Sequence, residues 1–298
     1  MDRLYWLPVI LLALAARPVQ AQTVVRQDER LASDRPEAWA LNRVAGSTLM
    51  TAFGQTPMLA PGRWSLSAEL GDVPRLSASQ RRVGFNGDKQ EDLNKSPVFG
   101  RLRVDVGLPA GWVAELGYTP PLAINGARPR NLVALAIGRR VLERGSFTLS
   151  ARAFGQHGRV EGDITCPAAL VGVTDLDRNP YGCQSASKDR ISVNDYGIDL
   201  VSGWNAGRWH WHGDLGVVRT ELQAQVDAFT FDVHDRSHLV ANGVLRYAAL
   251  GVGRDLGRHW SITTELLHVP LDVRRGPDAA SHSEPLTSLR VQLRYTGK

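Results

Sequence analysis

From about residue 62 to the end of the chain, apolar residues recur at every second position, in segments of roughly ten. Trp64, Leu66, Ala68 and Leu70 alternate with Ser65, Ser67 and Glu69, and Val98, Leu102, Val104 and Val106 with Arg101, Arg103 and Asp105. Trp112, Ala114, Leu116 and Tyr118 continue the pattern, as do Phe147, Leu149, Ala151 and Ala153. Tyr196, Ile198, Leu200 and Trp204 follow, then Trp209, Trp211, Leu215 and Val217 between His210, His212 and Asp214. Leu239, Leu245 and Tyr247 stand against Asn242 and Arg246, and Trp260, Ile262 and Leu266 against Ser261, Thr263 and Glu265. Leu289, Val291, Leu293 and Tyr295 close the chain. A helix turns about 100° per residue and cannot gather such a set on one face; an extended strand can. With a weaker segment at 131–139, the pattern predicts ten strands and an all-β fold.

The predicted connections alternate in length. Short ones fall near 108–111, 140–145, 205–207 and 253–258, and long ones near 72–96, 119–130, 155–192, 220–237 and 269–284. Short turns on one side, long loops on the other and an even strand count predict an antiparallel transmembrane β-barrel, with both chain ends on the short-turn, periplasmic side. Twelve strands would result if 47–53 and part of 220–231 also paired. Trp64, Trp112, Tyr118, Tyr196, Trp204, Trp209, Trp211, Trp260 and Tyr295 are placed as interfacial girdles would be. Over residues 62–295 the chain resembles the bacterial outer-membrane β-barrel proteins. That resemblance implies contact with outer-membrane lipid and lipopolysaccharide. It also implies that the terminal strand, Leu289 to Tyr295, is read by the barrel-assembly machinery; Thr296-Gly297-Lys298 run past the aromatic that usually ends such a strand.

Composition agrees once the period is known. The 298 residues are 43% hydrophobic and 22% charged, and mean hydropathy is -0.20, since every lipid-facing residue is diluted by a polar neighbour. The one long apolar run, Leu4 to Ala16, follows Arg3 and leads to Val19-Gln20-Ala21, which reads as a signal peptide over 1–21. Residues 22–61 are expected to form a periplasmic segment or a plug, with helix-start signals at Ser33 to Leu41, and 62–298 the barrel. In an exported chain the two cysteines, Cys166 and Cys183, are expected to pair and brace a long loop. Four of the 35 cationic residues are Lys and the other 31 are Arg, but no basic helix with interleaved aromatics suggests nucleic acid.

If the apolar face meets lipid, the other face fills the lumen: Glu69, Arg101, Arg103, Asp105, Glu115, Arg152, Asp195, Asp199, His210, His212, Asp214, Arg246, Glu265, Arg290 and Arg294. Ten strands give a backbone radius of roughly 10 Å, so long side chains from opposite walls nearly meet. Balanced carboxylates and guanidiniums at that distance should form ion pairs that plug or narrow the barrel.

Catalytic and metal patterns are sparse. Asp232 and His234, near Asp235 and His238, could activate water as in outer-membrane proteases, with Asp88, Glu91 and Asp92 as the loose opposing acids. His282-Ser283-Glu284 has the residue types of a nucleophile system, but neighbours on a strand point to opposite faces. His210, His212 and Asp214 lie in line and would reach one metal ion poorly. Asp175-x-Asp177-x-Asn179 begins like a calcium loop, yet Pro180 replaces the glycine and Ala186 the closing acid. No motif implies a cofactor. The sequence thus predicts a non-enzymatic outer-membrane barrel (narrow channel, binding or structural). A lipid- or peptide-hydrolysing barrel and a soluble periplasmic barrel that binds an apolar ligand are the alternatives.

Overall fold

A sheet whose outer face is apolar cannot leave an edge in lipid, because unpaired backbone groups there have no partner. The computed structural model, which describes residues 23–57, 59–276 and 278–297, meets this by closure. Ten strands follow the chain: β1 (Trp64–Asp72), β2 (Val98–Gly107), β3 (Trp112–Thr119), β4 (Arg128–Arg144), β5 (Phe147–Gly162), β6 (Asp189–Ala206), β7 (Trp209–Gln225), β8 (His238–Asp255), β9 (Trp260–Val269) and β10 (Leu286–Thr296). Each pairs antiparallel with the next, and β10 returns to β1 from Arg290↔Gly71 to Thr296↔Ser65. The expected signal peptide lies outside the described residues.

Ten strands, not twelve, make the wall. Thr220–Gln225 belongs to β7. Ala228–Thr230 joins Val233–Asp235 and Thr23–Val25 in a small sheet over the loops, and 48–53 run unpaired inside the barrel. Strands β4 to β8 are longer than the apolar periodicity suggested, at 16–18 residues. Their ladders continue past the apolar belt, where outward positions become polar at Arg159, Arg190 and Glu221, so hydropathy loses them while geometry does not.

The outward face is a belt of exposed apolar side chains, including Leu66, Leu102, Leu135, Ile198, Leu200, Leu215, Leu250 and Leu289. Trp64, Trp112, Trp204, Trp209, Trp211, Trp260 and Tyr295 bound it at the short-turn end, and Tyr118 and Tyr196 towards the long loops. Such a belt between aromatic girdles matches a hydrocarbon slab about 25 Å tall.

The interior has two layers. In the long-loop half lies a helix, α1 (Pro36–Ser47), with Pro at its first turn and Glu37 beside its positive end. Trp39, Leu41 and Ala45 of α1 pack with inward Leu222, Leu245, Leu267, Val269 and Leu286 in an apolar core. Gly46 admits this approach: a β-carbon there would come within 3.0 Å of Leu286 Cδ2. In the short-turn half, residues 48–57 run through a charged layer, and the chain leaves where a β-carbon on Gly107 would strike the carbonyl of Ala60.

Two expectations are corrected. The barrel strands begin and end on the short-turn side, but Thr23–Val25 pairs with Val233–Asp235 among the long loops, so the chain crosses the full lumen before β1. Arg246 faces outward and is exposed, opposite Val217, while Leu245 and Tyr247 face inward. The apolar layer around α1 inverts the usual polarity at that height, so the hydrophobic Leu245 and Tyr247 face the interior instead of lipid.

Candidate functional site

A helix leaves its last carbonyls without intrahelical donors, and inside a barrel water cannot supply them freely. Here arginines from the wall do. Arg290 donates to Gly46 O (2.9 Å), Ser47 O (3.1 Å) and Leu49 O (2.7 Å). Arg101 donates to Thr48 O (2.6 Å), Arg152 to Met50 O (2.6 Å) and Arg103 to Thr51 O (2.7 Å). Six successive carbonyls are thus held by four guanidiniums from β2, β5 and β10. Nearer the short turns, Arg140 reaches Thr56 O at 3.3 Å.

Carboxylates pair with Arg101, Arg103 and Arg152, whereas Arg290 is held by the carbonyls themselves. Glu69 lies 3.3 Å from Arg101 and 2.5 Å from Arg103, and Glu115 3.0 Å from Arg152. Arg152 also pairs with Asp199 at 2.7 Å, which accepts a bond from the Tyr247 hydroxyl at 2.7 Å. Glu265 receives the Thr51 hydroxyl at 2.6 Å and faces His212 at 3.1 Å, and Asp214 accepts from Ala52 N at 3.2 Å. Asp105 takes the Ser65 hydroxyl at 2.5 Å and lies 3.8 Å from Arg294. Asp195 accepts from Gln156, which is itself bonded to Arg101. His210 is half-buried near the short-turn mouth. Of the residues expected in the lumen, the structure gathers all but Arg246 into or beside this layer. Tyr247, Thr51 and the carbonyls of 46–51 complete it and carry no sequence signal, because they lie outside the polar face that the alternation marked.

The disulfide forms as expected. Cys166 and Cys183 are joined within the 163–188 loop and buried against Ala228. The weak catalytic pair is not assembled. His234 Nε2 contacts Asp227 at 2.6 Å and its ring stacks on Phe229, whereas the Asp232 carboxylate accepts from Gln184 at 2.9 Å. His282 meets Glu284 at 2.8 Å, and Glu284 also binds Arg275. Asn179 donates to Val173 O and accepts from Cys183 N, which makes it a brace of its own loop. Among the described residues no group of three or more His, Cys, Asp or Glu is arranged to hold a metal ion.

One titration outside the wall is measurable. In the first long loop, burial pushes the Glu91 carboxyl up to about 7, against the opposing pull of Lys89 at 2.8 Å. The folded state therefore holds a proton that the unfolded chain, near its ordinary 4.5, has released. The associated stability is present below the unfolded value and is lost as pH rises through about 7. The thermal midpoint should fall over that window, and Glu91→Gln should flatten the dependence. An unchanged pH profile in the variant would assign the effect to other groups.

No protein-family model matches the chain, and no curated protein sequence does. Solved structures similar to it are outer-membrane β-barrels. Ail, the attachment invasion locus protein of Yersinia pestis, shares 8% identity at a TM-score of 0.29 over 80% of this chain and 100% of its own. The outer-membrane protease OmpT from Escherichia coli shares 9% at 0.32, over 79% and 94%. The toluene transporter TodX of Pseudomonas putida shares 12% at 0.35, over 92% and 78%.

Proposed function

We propose that this chain is an integral outer-membrane barrel closed by its own N-terminal segment, a binding or structural barrel and not an open pore. Membrane placement is supported by the exposed apolar belt between aromatic girdles, a surface that water would penalise and lipid would not. By the usual asymmetry of such barrels the long loops face outward and the short turns the periplasm. Belt residues such as Leu135 and Leu215 then meet lipid, the long loops meet lipopolysaccharide headgroups, and β10 carries the alternating signal for the assembly machinery.

The observation that carries the closed reading is the hold of Arg101, Arg103, Arg152 and Arg290 on successive carbonyls from 46 to 51. Charge-assisted bonds to a threaded backbone, three of the four arginines being also paired with carboxylates, leave few free charges to attract a permeating ion. Two measurements test the reading. The protein should appear in the outer-membrane fraction with a gel mobility that changes on boiling; recovery only from the soluble periplasm would sink the membrane placement. Reconstituted into a planar bilayer, it should give no steady conductance, and sustained steps would refute closure.

A further inference from the structure

Strand β3 is the shortest of the ten and stops at Thr119. Its ladder with β2 ends at Leu102↔Tyr118, so Val98–Arg101 are paired only with β1. Pro120 and Pro121 cannot extend the ladder as donors. Beyond the 120–127 loop, β4 begins with Pro129 close to its start, and its register with β5 shifts between Arg130 and Val133, where Asn131 has a φ of 51°. The wall is therefore unladdered between β2 and β4 on the long-loop side of the belt.

A cavity of about 370 Å³ occupies this gap, within the range of about 300–1,000 Å³ typical of small-molecule sites. Both faces of the wall line it: exposed Leu70 and Leu102 from the lipid side, and buried Phe99 and Ile191 from within, beside Val44 of α1. It thus joins the lipid-facing surface to the interior at the height of the Tyr118 girdle.

The lining is mainly apolar, and its charged residues are ion-paired with one exception. Lys95 is paired with Asp92 and Asp163, Arg101 with Glu69, and Glu161 with Arg130. Arg43 of α1 is only 7% exposed and donates one side-chain bond, from Nη2 to Pro74 O at 2.7 Å. Its guanidinium lies 5.7 Å from the centre of the Trp39 ring, and Glu284 and Asp72 act on it only at longer range. Among the described residues no carboxylate lies within 4.0 Å of it. A buried cation without a counter-ion is costly unless something brings the negative charge.

We propose that this cavity is a lateral site for a single-chain anionic amphiphile, a long-chain carboxylate. It would enter from the lipid side with its chain between β2 and the 120–127 loop and its carboxylate on Arg43. The inference rests on the membrane placement proposed above and not on the closed lumen.

The full chain in lipid nanodiscs is titrated with a fluorescent long-chain fatty acid, then displaced with oleate or with the alcohol of equal chain length. Saturable binding is expected, with oleate preferred over the alcohol by about tenfold, as one charge-assisted contact would give. Gly100 lines the cavity, and a β-carbon there would meet only Glu69 O at 3.6 Å and Leu70 Cδ1 at 3.7 Å. Gly100→Trp should therefore keep the barrel and lose the ligand. Arg43→Gln should bind both probes and lose the preference, which Arg43→Lys should retain. Absence of saturable binding, undiminished binding in a folded Gly100→Trp protein, or an intact preference in Arg43→Gln would each overturn the proposal. Conductance reads the closed lumen independently, so either idea can fail alone.

Discussion

Arg152→Ala is expected to destabilise the barrel by about 3–5 kcal/mol, the usual cost of stripping one partner from a buried charge network. Arg152 donates to Asp199, to Glu115 and to the carbonyl of Met50, and all these groups are shut away from water. Alanine would leave two carboxylates facing each other with Arg103 and the Tyr247 hydroxyl as remaining support. The measurement is the denaturant or heat required to lose the compact gel form. Arg159→Ala is the control. Arg159 contacts Glu161 on a half-exposed surface, so its removal should change stability by less than about 1 kcal/mol. Combining Arg152→Met with Glu115→Gln and Asp199→Asn should recover much of the loss, because the penalty lies in the orphaned charges. Equal stabilities for Arg152→Ala and Arg159→Ala would show that the interior pairs do not act as a network.

Removal of residues 23–57 is expected to turn a silent barrel into a conducting one. The closed ring from β1 to β10 does not run through those residues, although Asp28–Arg30 pairs parallel with His238–Val240 at the long-loop end of β8. What disappears is the backbone that Arg101, Arg103, Arg152 and Arg290 hold, together with Trp39, Met50 and Phe53, which are almost wholly buried. Water should enter the vacated layer and hydrate the freed guanidiniums and carboxylates, and discrete current steps should follow. The truncated protein should also melt earlier, since the apolar half of the interior loses its central helix. Heat-dependent gel mobility reports independently whether the wall has formed. A folded, inserted and still silent variant would show that wall side chains alone block the lumen.

The alternation of Trp64 to Leu70 or of Tyr196 to Trp204 made the barrel legible, because lipid and lumen impose opposite demands on neighbouring residues. Glu69, Arg101 and Arg103 were legible for the same reason. The reading weakened where the interior itself is apolar. Around α1 the inward face of β8 is the apolar one (Ala241, Leu245, Tyr247) while Asn242 and Arg246 face out, so polarity there points to the wrong side of the wall. Strand ends beyond the belt, such as Asp189 to Asn194, carry an inverted signal, because Ile191 and Val193 face the apolar core while Arg190, Ser192 and Asn194 face out. Arg43 could not be singled out. It is one arginine among 31, it lies on a helix outside the period-two pattern, and its importance comes from a missing partner, which only three dimensions reveal.

The path of the N-terminal segment has a consequence for how the molecule is made. Thr23–Val25 lies at one mouth, β1 starts at the other, and the bulky Trp39 lies between. Once Arg290↔Gly71 through Thr296↔Ser65 have joined, this segment could enter only end-first along the whole lumen. The economical order of events is the reverse: the sheet curls around a segment already laid along its inner face, and the seam zips last. The rate of maturation is then governed by a pairing between residues more than two hundred positions apart, a long loop to close but a short ladder to complete. Whatever catalyses insertion must keep that seam ajar until the segment is in place.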